Sequence, residues 1–228
     1  ASAPLNSAAD SYGAGEMVAR ELSAQRKPRA IFVLSDGMRV NGSELIRGIN
    51  SVTAGEVVVT GGLAGDGDRF KRTWVLDASE VRESRVTAVG LFGDRLKIGF
   101  GSRGGWDIFG PERRVTRSRG NVLYEIDDTP ALTLYKRYLG ERASGLPATA
   151  LLFPLAMRQN ENDEQQLVRT ILSVNEADQS MVFAGDLPEG SLVRLMRANF
   201  DRLIEGAAGA AVQSRNPDAV PGPTLAVA

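Results

Sequence analysis

The sequence contains no cysteine and no histidine among its 228 residues. Without cysteine the chain has no disulfide, no thiolate nucleophile and no zinc–thiolate site. Without histidine it has neither a Ser-His-Asp nor a Cys-His catalytic group, and it lacks the commonest protein ligand of zinc, copper and haem iron. Any catalysis by this chain would therefore depend on carboxylates, Lys, Tyr, Ser or Thr hydroxyls, and backbone amides.

Long apolar runs and an excess of one charge are also missing. No apolar run approaches the roughly 20 residues that a membrane-spanning helix needs, so no membrane span is predicted. Lys and Arg number 27 against 28 Asp and Glu, and this balance gives no general attraction to nucleic acid or to an anionic membrane. Hydrophobic residues make up 43% of the chain, which is typical of a globular protein with one large or two small domains.

A strand–helix–strand unit is predicted between residues 30 and 60. Residues 30–34 are a continuous apolar run, typical of a strand buried on both faces. Asn41 with Glu44 three positions later resembles a capping box, and an apolar helical face follows it. Residues 56–60 are predicted to form a second buried strand. A right-handed crossover would make the two strands a parallel pair.

The rest of the chain predicts short antiparallel strands and three helices, the first at residues 12–25, where Met17, Val18 and Leu22 have helical spacing. Residues 1–11 are small and polar and are predicted to be disordered. Further predicted elements are strands at 71–76, 85–92, 96–100, 122–126, 149–153, 167–174, 180–184, 192–196 and 224–228, and the other two helices at 130–139 and 200–211. The predicted fold class is therefore α+β: a mixed sheet with a strand–helix–strand unit, then mostly antiparallel strands, with helices packed on the sheets.

A glycine-rich loop follows the second strand of the unit. Its glycines are Gly61, Gly62, Gly65 and Gly67. Such a loop lets backbone amides approach a ligand closely, but no helix follows it, so it is neither a Walker loop nor a dinucleotide loop. Asp66 and Asp68 could bind a hard cation through oxygen, although two carboxylates alone are a weak signal and no metal site is predicted. A tight loop with solvated aspartates is the alternative interpretation.

Three other positions are candidates for ligand binding. Asp36 and Gly37 end the first strand of the unit, where open sheets bind ligands, although Asp-Gly is also common in plain turns. Trp106 lies in a segment rich in Gly and Arg and could form a wall of the site. That segment resembles a nucleic-acid patch locally, but the rest of the chain adds no supporting charge, so no nucleic-acid partner is predicted. Arg169, in an apolar strand, lies either on the solvent face or beside a buried anion.

An ordered series of these stretches resembles the FIST (F-box and intracellular signal transduction) sensory domain. The resemblance extends from about residue 12 to the end of the chain. It is carried by residues 32–37, 41–45, 61–67, 105–106, 115–116, 120–127, 130–132 and 187–190. The resemblance implies that residues 1–128 are the C-terminal part of a FIST N region. Residues 129–228 would be most of a FIST C region, cut before its closing strands.

The resemblance also implies a function. It suggests a bacterial, cytoplasmic, non-enzymatic sensory domain that binds a small ligand, with amino acids among the candidates. The signal would pass to an output protein of the kinase, cyclase or chemoreceptor type. Some bacterial relatives bind haem, but this chain has no histidine to ligate iron, and no cofactor is predicted. Unpaired strand edges would favour a homodimer.

The residues themselves leave more than one function open. As a sensor for an amino acid, the chain would use Asp36 or Asp66 for the ammonium group, and Arg169 with the amides of residues 61–67 for the carboxylate. The ligand site would then be a cleft lined by Asp36, Gly37 and the glycine-rich loop, with Trp106 as a wall. A protein-interaction scaffold would instead present an exposed apolar patch. An enzyme using carboxylates has the weakest support, because no catalytic spacing is found.

Overall fold

Two helices cover one face of a four-stranded sheet in the first half of the chain. The structure, a computed structural model, describes residues 1–163 and 166–215. The elements of this half are β1 (Ser2–Pro4), α1 (Ser11–Ser23), β2 (Ala30–Ser35), α2 (Gly42–Thr53), β3 (Val58–Leu63), β4 (Val75–Asp77), β5 (Glu80–Arg82) and β6 (Arg85–Leu91). The sheet has the order β1–β6–β2–β3, and β4 pairs with β5 as a separate hairpin. β2 and β3 are parallel, which confirms the predicted strand–helix–strand unit.

Alternation along β2 directs one set of side chains toward the helices. Ile31 and Val33 are buried in the same core as Leu45 and Ile49 of α2. α2 begins after Asn41, whose Oδ1 accepts hydrogen bonds from the amides of Ser43 and Glu44 at 3.0 and 3.3 Å. Side-chain capping of this kind satisfies amides that have no partner inside the helix. The cap therefore fixes where α2 starts, beside the end of β2.

Two predictions for this half are wrong. Residues 1–11 are ordered: β1 pairs with β6, and Ala3 and Leu5 are fully buried in the core. β3 is not a buried strand, because it forms the edge of the sheet and residues 60–63 are exposed. Small residues can be buried at a sheet edge as well as exposed in a disordered tail, so composition alone does not distinguish the two.

A nearly closed antiparallel sheet forms the second half of the chain. Its elements are β7 (Trp106–Ile108), β8 (Arg113–Arg119), β9 (Val122–Ile126), β10 (Thr129–Pro130), α3 (Ala131–Leu139), β11 (Leu155–Arg158), β12 (Leu167–Arg169), β13 (Ile171–Asn175), β14 (Ser180–Phe183), β15 (Leu192–Ala198) and α4 (Phe200–Ser214). The strand order is β12–β11–β15–β8–β9–β14–β13, with β10 beside β9 and β7 beside β15. Thr170 alone separates β12 from β13, so the chain passes directly between the two ends of this order. α3 packs its buried face into the core of this half.

The α+β class is confirmed, but the limits of some predicted elements are not. Residues Ala148–Leu152 form a 3₁₀ helix in place of the predicted strand, with the amide of Ala150 donating to the carbonyl of Pro147 at 2.9 Å. Residues 96–100 form no strand, because Gly99 and Gly101 pack against the backbone of α4 instead. The strand predicted at 224–228 lies outside the described residues. In the described part of the chain, no helix combines the length and apolar character needed to cross a membrane.

Candidate functional site

A cleft of about 450 Å³ lies between α2 and the second half of the chain. We call it the junction cleft; it is lined by Gly42, Ser43, Ile46, Val168, Arg169, Thr170, Ala184 and Gly185. The first turns of α2 form one wall, and β12 with the loop after β14 forms the other. Small-molecule sites commonly have volumes of roughly 300–1,000 Å³, so the junction cleft has a suitable size.

Within the described part of the chain, four hydrogen bonds hold the two walls together. All of them join the start of α2 to residues 184–186, which follow β14 directly. They are Gly42 N to Ala184 O (2.8 Å), Asp186 N to Ser43 Oγ (3.0 Å), Asn41 Nδ2 to Asp186 Oδ1 (2.6 Å) and Arg47 Nη2 to Asp186 Oδ2 (2.9 Å). The Asp186 carboxylate therefore belongs to the junction between the two halves.

Among the described residues that line the junction cleft, Arg169 alone is charged. Its side chain is half-buried, and its Nε donates to the carbonyl oxygen of Asp186 at 2.7 Å. Burial lowers the pKa of the Arg169 guanidinium, and the nearby negative charge of Asp186 only opposes this shift. Among the described residues, no carboxylate oxygen lies within 4 Å of its nitrogens. The structure thus leaves the charge of Arg169 without an ion-pair partner in this part of the chain.

Two hydroxyl groups are further hydrogen-bond donors in the lining of the cleft. The amides at the start of α2 are already used, since Asn41 accepts from Ser43 and Glu44, and Gly42 donates to Ala184. The Ser43 hydroxyl accepts from Asp186 N and keeps its own proton to donate. Thr170 adds a second hydroxyl to the lining.

Gly185 keeps the guanidinium of Arg169 accessible. A Cβ at this position would lie 2.9 Å from Ser43 Oγ and 3.5 Å from Arg169 Cζ. The side chain of any larger residue would therefore extend into the space between α2 and Arg169. Glycine at this position leaves that space open.

Asp36, the first predicted ligand residue, is a buried structural group. Its side chain is 0% exposed, and its Oδ1 accepts from the amides of Met38 and Arg39 at 2.8 and 3.0 Å. Oδ2 accepts from the amide of Ser84 at 3.1 Å and from Arg39 Nη1 at 3.3 Å. These bonds join the turn after β2 to the start of β6.

Asp66 has a comparable role in the glycine-rich loop. Its carboxylate accepts from the amides of Phe70 at 3.0 Å, Lys71 at 2.8 Å and Arg72 at 3.1 Å. The amides of Lys71 and Arg72 hold the pKa of the Asp66 carboxyl below its ordinary value of 3.8, against the opposing effect of burial. Within the described residues, no group of three or more acidic side chains is arranged to hold a metal ion.

The predicted site residues lie in three separate places. Gly37 packs against the carbonyl of Ala64, so Asp36 and Gly37 meet the glycine-rich segment at the ends of β2 and β3. Of that predicted loop, Gly61 and Gly62 belong to β3 and pair with β2, while Gly65, Asp66 and Gly67 follow the strand. Trp106 lies in β7, opposite Ala198 of β15. Arg169 lies in the junction cleft. Ligand binding by these residues stays a prediction.

Several residues of the junction cleft have no signal in the sequence. Ser43 follows the visible helix cap, but neither Gly185 nor Asp186 lies in a recognisable motif. Ser43 and Asp186 are 143 positions apart, so their hydrogen bond depends on the packing of the two halves. The sequence reveals the types of residue that could bind a ligand, but it does not reveal which of them meet.

The FIST N domain family matches residues 1–129, and the FIST C domain family matches residues 131–226. This chain belongs to the FIST family. The two matches confirm the family predicted from the ordered stretches. FIST domains are sensory domains of signal transduction. The two FIST matches meet near residue 130, just before α3. No curated protein and no solved structure matched the sequence.

Proposed function

We propose that this FIST protein is a non-enzymatic sensor that binds a small ligand in the junction cleft. The observation that carries the proposal is the position of Arg169, a half-buried cation without a carboxylate partner among the described residues, in a cleft of about 450 Å³. Burial of a charge is costly unless it is paired. A ligand that supplied the missing negative charge would therefore be favoured at this position.

The walls of the cleft connect ligand binding to a signal. One wall lies within the FIST N match and the other within the FIST C match, and the hydrogen bonds of Asp186 join them. A ligand that contacts both walls stabilises the arrangement in which they are close, because a ligand shifts an equilibrium toward the state it binds better. An output protein of the kinase, cyclase or chemoreceptor type would respond to that shift.

Amino acids are the first ligand class to test. Arg169 supplies a cation for their carboxylate, while Asp36 and Asp66 already accept backbone amides. We therefore place the ligand at Arg169 and assign Asp36 and Asp66 to the support of the surrounding loops. This differs from a site centred on Asp36 and the glycine-rich loop.

A thermal-shift screen of small metabolites, amino acids included, tests the proposal. A compound that binds the folded state at 100 times its Kd should add about 2.7 kcal/mol of stability and raise the unfolding midpoint. The matched variant is Ile46→Trp, because Ile46 is 37% exposed on the wall of the cleft and a larger side chain would fill it. The midpoint rise should disappear in this variant. A rise that persists in folded Ile46→Trp would place the ligand elsewhere.

An interaction scaffold is the second candidate function. The face of the four-stranded sheet opposite the helices carries exposed Leu34, Val89 and Leu91, which are 38%, 59% and 41% exposed. Exposed apolar surface of this kind is typical of a protein-binding face. With the free edge of β3 it also supports the expected homodimer. A scaffold predicts that no compound in the screen raises the midpoint.

A further inference from the structure

The lining of the junction cleft is selective for charge. It contains one cation, Arg169, two hydroxyl residues, Ser43 and Thr170, and otherwise small or apolar residues. No acidic side chain among the described residues is part of this lining. The lining therefore offers a positive charge to an anionic ligand, and none of its residues offers a negative charge to a cationic one.

The free edge of the Arg169 guanidinium fits a carboxylate. Its Nε is occupied by the carbonyl oxygen of Asp186 at 2.7 Å, and Nη1 makes only a long contact of 3.5 Å with the carbonyl oxygen of Val168. Nη2 forms no hydrogen bond with the residues that the structure describes. Nη1 and Nη2 together form the end of the planar fork, and two parallel N–H donors match the two oxygens of a carboxylate.

The neighbouring charges favour one negative charge over two. Asp186, whose negative charge acts on Arg169, is bound to Asn41 and Arg47, and Glu44 also pairs with Arg47. A second negative charge on the ligand would find no second cation in the lining and would be repelled by Asp186. A dianionic phosphate is therefore a poorer fit than a monocarboxylate.

The apolar part of the lining determines the rest of the ligand. Ile46 of α2 and Val168 of β12 contribute aliphatic surface, and Gly42, Ala184 and Gly185 leave room beside them. Burial of apolar ligand surface against these side chains contributes favourable free energy in proportion to area. A carboxylate with a short aliphatic body would use both parts of the cleft.

We infer that the ligand of this sensor is a monocarboxylate with an apolar body, whose carboxylate pairs with Nη1 and Nη2 of Arg169. This inference rests on the proposed function, because it assumes that the junction cleft binds the ligand. It adds the chemical class and the residue that recognises it. An ammonium group is not required, so a simple carboxylic acid should bind as well as the corresponding amino acid.

The test uses 4-methylpentanoate and its carboxamide, which have nearly the same shape but differ in charge. Binding to the full chain is measured by calorimetry and by chemical-shift changes in the NMR spectrum. The acid should bind at least tenfold more tightly than the amide, as expected for a hydrogen-bonded charge pair. Arg169→Gln should remove this preference, while Arg137→Gln, a change of an exposed arginine on α3, should leave it intact.

A second pair of variants leaves Arg169 in place. Ile46→Glu brings a negative charge to the wall of the cleft and should weaken binding of the acid at least tenfold. Ile46→Gln, of the same size, should keep the preference for the acid over the amide. Because Ile46 is partly exposed on α2, both variants should fold, which circular dichroism checks.

The outcomes separate this inference from the proposed function. Equal binding of acid and amide, or an acid affinity that Arg169→Gln and Ile46→Glu leave unchanged, overturns the inference while a ligand site can still stand. If neither probe binds at millimolar concentration but an uncharged compound from the screen does, the inference is overturned and the proposed function stands. If nothing binds at all, both proposals are overturned.

Discussion

Gly61 and Gly62, which are adjacent in β3, differ in the space that a side chain would have. Gly61 has a φ of 150°, and a Cβ there would overlap the carbonyl oxygen of Val33 in the neighbouring strand β2. A Cβ at Gly62 would have no heavy atom of another described residue within 4 Å, its two chain neighbours excepted. Only Gly61 is therefore required by the close approach of β2 and β3, although the two residues are indistinguishable in the sequence.

We predict that Gly61→Ala destabilises the protein by about 2–4 kcal/mol, the sum of backbone strain and steric overlap. Gly62→Ala is the matched control and should change the free energy of unfolding by less than about 1 kcal/mol. Chemical denaturation of the two variants and the unmodified chain measures the difference. Equal effects in the two variants would contradict the arrangement of β2 and β3.

The sequence predicts the type of a functional residue more readily than its partner. Asp36 and Asp66 are carboxylates in turns, and such side chains bind either a ligand or the backbone amides that follow them. The structure shows that both accept amides. Nothing in the local sequence decides this, because the turn geometry that presents the amides forms only when the loops pack.

At the level of the elements, periodicity and capping residues predict helices and strands well where the local sequence determines the structure. The strand near residue 30, the cap at Asn41 and the helix after Pro130 are all present. The predictions fail where contacts with other parts of the chain determine the structure of a segment. The apolar run within Ala148–Leu152 fits a strand and a short helix equally, and β3 is an apolar strand that lies at an edge.

The loop after β3 is stabilised by a charged group and should therefore respond to acid. The folded chain holds the pKa of Asp66 below 3.8, so the unfolded chain takes up the proton first as the pH falls. The stabilisation by Asp66 is fully present above the unfolded pKa. It is lost as the pH decreases through the lower folded value.

We predict that Asp66→Asn lowers the unfolding midpoint at neutral pH, because an amide nitrogen would face backbone N–H donors. The difference from the unmodified chain should narrow as the pH falls below 3.8. Asp68→Asn, an exposed neighbour, is the control and should follow the unmodified chain at every pH. Thermal unfolding followed by circular dichroism at several pH values measures this. A difference that stays constant with pH would show that the charge of Asp66 is not involved.

At the scale of the whole molecule, residues 1–163 and 166–215 contain two separate hydrophobic cores. One is formed by residues between Ala3 and Ala88, and the other by residues between Val115 and Leu195. The hydrogen bonds between α2 and residues 184–186 connect the parts of the chain that hold these cores. Sequence patterns predict each core, but they contain no information on how the halves meet. The junction cleft therefore could not be predicted.

We predict that Asp186→Ala uncouples the two halves. The substitution removes the acceptor of Asn41 Nδ2 and Arg47 Nη2, while the bonds of Gly42 and of Asp186 N can persist. Loss of the hydrogen bonds to the Asp186 carboxylate should cost about 1–3 kcal/mol. This loss weakens the interaction between the two halves and not the halves themselves, because neither core is altered.

In calorimetry the unmodified chain should unfold in one transition and Asp186→Ala in two, since domains joined by a weak interface unfold independently. Trp74 and Trp106, one in each half, assign each transition through single-tryptophan variants. Asp201→Ala, at an exposed position in the first turn of α4, is the control and should keep the single transition. A single transition in Asp186→Ala would mean that other contacts couple the halves. Signal transfer would then not depend on Asp186.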